Sequence, residues 1–211
     1  MRWISILLAM VVVVLGAKAQ TDCNLKLEKD SIKVYTCKVA NSKFRSVKTT
    51  FEINSQLSQL AAIVMDIDSY KSWQYKTVST KILKKVSDHE IFYHTEVEAP
   101  TLTSNRDFVI RLTIQQNPIT REMIIEAVSM PDYLPKVKDV IRVPFSSARW
   151  TVKPLSAKKL SVEYYIEIDL GGLVPPWAVN LVAHQAPYET FKDLRKKIGT
   201  YKGRNVPFIR D

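Results

Sequence analysis

Three histidines are the residues of this sequence best suited to bind a metal ion or to act as a general base. His89 lies in a predicted turn, His94 in a predicted strand and His184 on the last predicted helix, and their spacing does not resemble a metal site. The sequence also has no Gly-x-Ser-x-Gly elbow, Walker loop or Gly-x-Gly-x-x-Gly fingerprint. A reaction would therefore depend on His184, and a lone histidine on a helix face is more commonly structural. No metal, cofactor or catalytic residue is predicted.

The N-terminus has the three-part organisation of a secretory signal peptide. A basic start is followed by an apolar run and then by Ala17-Lys18-Ala19, a small-x-small cleavage site. The apolar run is shorter than the roughly 20 residues that a membrane-spanning helix needs. We therefore expect a signal peptide at residues 1–19, one domain at residues 20–211, and a periplasmic or secreted protein.

Basic residues outnumber acidic residues by 31 to 21. The formal net charge is +10, and removal of Arg2 and Lys18 with the signal peptide would lower it by two. Such an excess favours transient contact with an anionic membrane surface, although a solvated basic surface is the simpler alternative. Nucleic acid is not a predicted partner, because the lysines are scattered and no zinc-finger or RNP-like pattern is present. We expect a monomer.

Cys23 and Cys37 are the only cysteines, and an exported protein meets an oxidising compartment. Apolar and polar residues alternate on both sides of Asp30, which predicts a β-hairpin. A hairpin centred on Asp30 places the two cysteines opposite each other, because they lie equally far from it along the chain. We predict a disulfide between them. Two free buried thiols, or a pairing with another chain, are the alternatives.

Period-2 alternation of apolar and polar residues predicts strands along most of the chain. Beyond the hairpin, the predicted strands cover residues 45–53, 78–86, 91–99, 107–116, 121–130, 140–154 with an irregular stretch inside, and 160–170. Short turn-like connections require antiparallel neighbours. Apolar residues at helical spacing predict a short amphipathic helix over residues 55–65. The sheet has about nine strands, and a sheet this long must twist and curl.

A long C-terminal helix follows Pro175-Pro176, with Pro187 expected to kink it. Its apolar stripe comprises Trp177, Leu181, His184, Tyr188, Phe191 and Leu194. Small residues on this helix, Ala178, Ala183 and Ala186, would favour a tunnel beneath it. One helix laid in the concave face of a curved sheet fills it incompletely, so we expect an internal apolar cavity.

The segment from Met130 to Lys138 is predicted to be a loop, because Pro131 and Pro135 cannot sit in a central strand. It is apolar for an exposed loop. We expect Tyr133 and Leu134 to pack against the C-terminal helix, and loop and helix to open together for ligand uptake.

Four segments in order along the chain carry motifs of one protein family. They are Asp66-Ile67-Asp68-Ser69-Tyr70-Lys71-Ser72-Trp73; Ser104-Asn105-Arg106-Asp107-Phe108-Val109-Ile110-Arg111; Val140-Ile141-Arg142 with Trp150-Thr151-Val152-Lys153-Pro154; and Asp169-Leu170-Gly171-Gly172-Leu173-Val174-Pro175-Pro176-Trp177-Ala178-Val179-Asn180. Together they resemble the START (steroidogenic-acute-regulatory-related lipid-transfer) domain family, as a bacterial-type single-domain exported member. The resemblance implies an α+β helix-grip fold, in which a long curved antiparallel sheet, a short early helix and a long C-terminal helix enclose an apolar cavity for a hydrophobic ligand.

The resemblance also implies ligand-binding residues. In the family, the arginine ending the Arg-Asp-Phe-Val-x-x-Arg element points into the tunnel beside an acid from the neighbouring strand. Arg111 matches that arginine and Glu96 is the candidate acid, with Glu98 as the alternative. A buried guanidinium needs a carboxylate partner, whereas the alternative is an exposed cross-strand ion pair. Further contacts are expected from Tyr133, Leu134, Trp177, Leu181, His184 and Tyr188.

Two more pairs of residues belong to the same motifs. Arg106 and Asp107 are expected to lock the loop before their strand rather than to contact a ligand. Tyr70 and Trp73 would close one end of the tunnel, or else pack in the core, which is the commoner fate of aromatic residues.

The expected function is binding of a lipid or another hydrophobic small molecule, as a carrier, transfer protein or sensor. The wider superfamily also includes cyclases and aromatases, so an enzyme acting on a hydrophobic substrate in the same cavity is one alternative. A structural or protein-interaction module, with its cavity filled by side chains, is another.

Overall fold

The computed structural model describes residues 22–38, 45–99, 103–173 and 176–211, and for Arg45 and residues 176–182 it describes the backbone alone. The predicted signal peptide lies outside the described residues. The strands are β1 (Asp22–Lys29), β2 (Ile32–Lys38), β3 (Arg45–Ile53), β4 (Thr77–Ser87), β5 (Glu90–Val97), β6 (Arg106–Gln116), β7 (Met123–Ser129), β8 (Ile141–Arg142), β9 (Phe145–Ser156) and β10 (Lys159–Asp169). The helices are α1 (Leu57–Met65) and α2 (Pro176–Lys197), with 3₁₀ helices at Ile67–Ser72 and Ile198–Tyr201.

The strands form one sheet in the order β1-β2-β3-β10-β9-β7-β6-β5-β4, with every neighbouring pair antiparallel. The short strand β8 pairs with β6 in parallel. The strand predicted over residues 140–154 is therefore two strands. Pro144 lies between them, and because proline has no amide donor it cannot extend the ladder. The predicted α+β helix-grip fold is confirmed.

The hairpin of β1 and β2 contains a two-residue turn rather than a single central residue. Asp30 and Ser31 both have positive φ, at 51° and 55°, as a type I′ turn requires. If the strand pairing continued from this turn without interruption, Cys23 would lie opposite Lys38. A β-bulge at Lys26 shifts the register by one residue, so Cys23 faces Cys37. The predicted disulfide is present, with its sulfur atoms 2.07 Å apart.

The core lies between the inner face of the sheet and the helices. The helix α1 is buried along most of its length, including Leu60 and Ile63. The C-terminal half of α2 contributes Phe191, whose ring stacks on Phe51 at a centroid distance of 4.6 Å and contacts Trp150 edge-on at 5.2 Å. These aromatic contacts fix the C-terminal half of α2 against β3 and β9.

Polar contacts hold the same half of α2 against the first hairpin and β3. The guanidinium of Arg195 donates to the backbone oxygens of Asp30, Ser31 and Glu52. The hydroxyl of Tyr188 lies 2.5 Å from a carboxylate oxygen of Asp30. Across the described parts of the chain, neither helix combines the length and the apolar character needed to traverse a bilayer.

Candidate functional site

A cavity of about 300 Å³ lies between the sheet and α2, within the range of small-molecule sites in proteins. Strands from both halves of the sheet contribute to its wall, which shows that the sheet curves around it. Most of its lining side chains are apolar, among them Tyr70, Trp73, Tyr93, Phe108, Ile110, Leu112, Trp150, Tyr164, Ile166 and Ile168. Such a wall favours a ligand with a large apolar surface.

Small side chains facing one another create this cavity. On the sheet, Ala127 of β7 lies directly opposite Ala148 of β9, and both line the cavity. On α2, Ala183 and Ala186 line it as well. One turn further along the helix, Phe191 fills the corresponding space with a buried ring. The interface is therefore closely packed at the C-terminal end of α2 and open before it.

Along β5 and β6, side chains alternate strictly between the inner and the outer face of the sheet. Phe108, Ile110 and Leu112 of β6 line the cavity, as do Tyr93 and Val97 of β5. Because successive side chains point to opposite faces, the residues between them lie on the outer face of the sheet.

The predicted buried pair of Arg111 and Glu96 is wrong for this reason. The Arg111 side chain is 48% exposed, and its Nε lies 2.7 Å from Oε1 of Glu90. Glu96 instead accepts a hydrogen bond of 2.7 Å from Nδ2 of Asn105. The family motif has two residues between valine and arginine, whereas only Ile110 separates Val109 from Arg111. The arginine therefore falls on the outer face.

The loop after β7 is fastened to the outer face of the sheet by a buried ion pair. Nε and Nη2 of Arg142 lie 3.0 and 2.8 Å from the two carboxylate oxygens of Asp107, and both side chains are almost completely buried. The same guanidinium donates to the backbone oxygens of Pro131, Leu134 and Pro135. Arg142 thus ties this loop to β6.

The pKa of Asp107 reflects its ion pair with Arg142. Burial alone would raise its pKa, but hydrogen bonds from Arg142 and from His94, whose Nε2 lies 2.9 Å away, lower it below the ordinary value. Arg106 and Asp107 were expected to lock the loop before β6, and Asp107 instead locks the loop after β7.

The predicted contacts of Tyr133 and Leu134 with α2 are wrong. The ring of Tyr133 stacks on Phe92 at a centroid distance of 5.0 Å, and Phe92 lies on the outer face between the inward-facing Ile91 and Tyr93. The backbone oxygen of Leu134 is bound by Arg142. The sequence correctly indicated a loop that packs against the rest of the protein, but the loop covers the outer face of the sheet, opposite to α2.

The predicted residues of α2 divide into three groups. The side chains of Trp177 and Leu181 lie outside the described residues. Tyr188 is buried but binds Asp30 rather than lining the cavity, and His184 is partly buried beside the cavity-lining Ala183 without lining it. Their roles in ligand binding remain predictions.

Tyr70 and Trp73 combine the two roles considered for them. Both are buried, both line the cavity, and their rings meet edge to face at 4.9 Å. The hydroxyl of Tyr70 donates to the backbone oxygen of Val64 at 2.6 Å. Burial raises the pKa values of Tyr70 and Tyr93, so both phenols stay neutral at neutral pH.

Arg106 also lines the cavity, which was not predicted from the sequence. Its Nη1 lies 2.5 Å from the backbone oxygen of Ser104, so it does secure the loop before β6. The side chain also lines the cavity, and its Nη2 is buried without a hydrogen-bond partner. Burial lowers the pKa of Arg106, yet an arginine remains protonated at neutral pH. Its parity with Phe108 and Ile110 was the available signal.

The described residues contain no cluster of three or more His, Cys, Asp or Glu side chains that could hold a metal ion. Of the histidines, His94 binds Asp107 on the outer face, and the ring of His89 meets that of Phe208. The described wall of the cavity is thus apolar, with Arg106 as a buried cation within it.

Comparison with known proteins agrees with this geometry. The family model of the START domain matches residues 15–204 of this sequence. An uncharacterised Pseudomonas aeruginosa protein, PA1579, is 27% identical over 191 residues, which are 90% of this chain and 94% of that protein. The phosphatidylcholine transfer protein of Mus musculus is 28% identical over 147 residues, 67% of each chain.

A solved structure extends the agreement to the whole architecture. The fragment of a STAR-related lipid transfer protein from Xanthomonas axonopodis superposes with a TM-score of 0.76 and is 26% identical. The match covers 84% of this chain and 98% of that one. With four ordered motifs, a matching fold and a family model spanning most of its length, this chain belongs to the START domain family.

Proposed function

We propose that this protein is a carrier that holds one lipid-like molecule in the cavity beneath α2. The observation that supports the proposal is the cavity itself, an apolar space of about 300 Å³ left open by opposed alanines on sheet and helix. A module that only bound other proteins would have no need of this space, because filling it with larger side chains would stabilise the fold. Relatives named for lipid and phosphatidylcholine transfer support the same function.

The size of the cavity restricts its ligand. About 300 Å³ lies at the lower end of the range for sites that enclose drug-sized molecules. The cavity as it stands suits one acyl chain or a compact ring system. A two-chain phospholipid would need α2 to move away from the sheet.

Binding explains the described wall better than catalysis does. A cyclase or related enzyme needs a general acid or base beside its substrate, and no histidine lines the described part of the cavity. The one carboxylate among the described lining residues of the cavity, Glu98, forms an ion pair with Lys76 at 3.1 Å. Both side chains are substantially exposed. These two residues resemble a solvated rim rather than a catalytic pair.

Export completes the proposal. The signal-peptide pattern at residues 1–19 and the disulfide between Cys23 and Cys37 both suit an oxidising compartment. Intact mass spectrometry of the exported protein should give a chain that starts at Gln20. A membrane-bound form that retains residues 1–19 would contradict this part of the proposal.

The carrier function can be tested on the purified exported protein. Native mass spectrometry and solvent extraction should reveal a bound apolar molecule. The same protein should also accelerate exchange of a fluorescent fatty acid between donor and acceptor vesicles. Absence of both ligand and exchange would refute carriage, and chemical conversion of the extracted molecule by fresh protein would identify an enzyme.

A further inference from the structure

The cavity contains a buried positive charge without a counter-ion. The Arg106 residue is 7% exposed, and Nη2 of its guanidinium is buried without a hydrogen-bond partner. All 21 acidic side chains of the sequence lie within the described residues, and none of them forms an ion pair with Arg106. Burying an unpaired charge is costly, so an anion from outside the chain would be strongly favoured here.

The neighbouring acids are committed elsewhere. Asp107 follows Arg106 directly, but it lies on the opposite face of β6 and accepts two hydrogen bonds from Arg142. Glu98 lines the cavity and is paired with Lys76. The guanidinium of Arg106 therefore remains available toward the cavity.

A second unpartnered polar group lies close to the first. Oγ1 of Thr77 is also buried without a hydrogen-bond partner, and Thr77 lines the same cavity. The strand register pairs Thr77 with Val97 and Val97 with Arg106, so the three residues form one row across β4, β5 and β6. Neighbouring strands are about 4.8 Å apart, which places Thr77 and Arg106 about 10 Å apart at their Cα atoms. An anionic group above Val97 can contact both side chains.

We propose that the ligand is a single-chain amphiphile with an anionic head group, a carboxylate or a phosphate, bound by Arg106 and Thr77. The guanidinium supplies charge-assisted hydrogen bonds to the anionic oxygens, and the threonine hydroxyl donates another. The apolar chain then extends along the alanine-lined space beneath α2. This inference rests on the proposed carrier function and adds the charge of the cargo.

The test compares head groups on one chain. The exported protein, stripped of lipid, is titrated with a fatty acid, an alkyl phosphate and a fatty alcohol of equal length, each displacing a dansyl-labelled fatty acid. We expect the better of the two anions to bind about tenfold or more tightly than the alcohol, the size expected for charge-assisted hydrogen bonds. The ranking of acid against phosphate identifies the head group.

Variants assign the effect to the two residues. Arg106→Gln should lower anion affinity to that of the alcohol and leave alcohol binding unchanged, and Thr77→Val should lower anion affinity by a smaller factor. The matched control is Arg111→Gln, the same substitution on the outer face of the same strand, which should change neither affinity. If Arg106→Gln does not fold, Thr77→Val and the wild-type comparison still decide the matter.

The outcomes separate this inference from the proposed function. Equal binding of acid, phosphate and alcohol by the wild-type protein would overturn the anionic cargo and leave the carrier function standing. Binding of none of the three would count against the carrier function itself. A loss of anion selectivity in Arg111→Gln equal to that in Arg106→Gln would show that general surface charge, not the buried guanidinium, attracts the anion.

Discussion

A single substitution that fills the cavity should stabilise the fold and weaken ligand binding. Ala127 lies on the cavity floor, in the centre of the sheet, with Ala148 opposite it on β9. In Ala127→Leu, the larger side chain would extend into space that the ligand occupies. Stability of the ligand-free protein and affinity for ligand should therefore change in opposite directions, a result that ordinary core damage does not produce.

The magnitude follows from the atoms added. Leucine adds three carbon groups, which at about 0.8 kcal/mol each could contribute about 2.4 kcal/mol if they enter a space of this size without strain. Ordering the leucine side chain costs about 0.5–1 kcal/mol. The free energy of unfolding of the lipid-free protein should thus rise by about 1.4–1.9 kcal/mol. Affinity for a dansyl-labelled fatty acid should fall by about tenfold or more, because one overlapping side chain excludes part of the chain.

Urea unfolding of lipid-free protein and fluorescence titration measure the two effects. Ala157→Leu is the matched control, because Ala157 is exposed in the turn between β9 and β10, and both measurements should stay near wild type. Ala148→Leu should reproduce the effect from the opposing strand. A destabilisation of about 1–3 kcal/mol, typical of overpacking, together with unchanged probe affinity, would refute the reasoning and place the ligand elsewhere.

Two further predictions concern contacts that stabilise the sheet outside the cavity. Replacing Cys23 and Cys37 together by serine should lower the free energy of unfolding by about 3 kcal/mol, the chain-entropy value for a loop of this length, and non-reduced, denatured wild-type protein should contain no alkylatable thiol. Asp107→Asn should lower the free energy of unfolding in urea by about 3–5 kcal/mol, since it leaves Arg142 buried without its carboxylate, whereas the control Asp88→Asn, at an exposed carboxylate, should leave it near the wild-type value. Because the pKa of Asp107 is lowered in the folded state, its stabilisation is present at neutral pH and is lost as the pH falls below about 4. Asp107→Asn should lack that acid-dependent loss, and an unchanged profile would show that Asp107 is not its source.

Much of the sheet could be predicted because alternation and short turns are local properties of the sequence. The segment 45–53 was predicted to its end residues, and the disulfide was predicted correctly although the turn was not. The hairpin centre on Asp30 compensated for a bulge that the sequence did not reveal. Bulges depend on the partner strand as well as on the bulged residue, so a single strand does not reveal them.

The binding site was harder to predict because a cavity is a space that no side chain fills. The stripe of large residues on α2 indicated the face that packs, and its members Phe191 and Leu194 indeed fill the core. The residues that border empty space are small, such as Ala183 and Ala186, and small residues have little influence on a hydrophobic pattern. The error at Arg111 had another cause, since a motif matched with one residue missing reverses the face on which its last residue lies.

The way the chain is fastened restricts how a ligand can reach the cavity. The loop from Met130 to Lys138, expected to open, is tied by Arg142 to the outer face, so its movement would not uncover the cavity. The C-terminal half of α2 is held by Phe191 and Arg195. Just before Pro187, which donates no backbone hydrogen bond within the helix, the described side chains Ala183 and Ala186 border the cavity, and such small side chains contribute little packing energy. Of the two segments expected to open, the loop and the helix around Pro187, only the helix lines the cavity, so exchange of a ligand should require movement of α2 rather than of the loop.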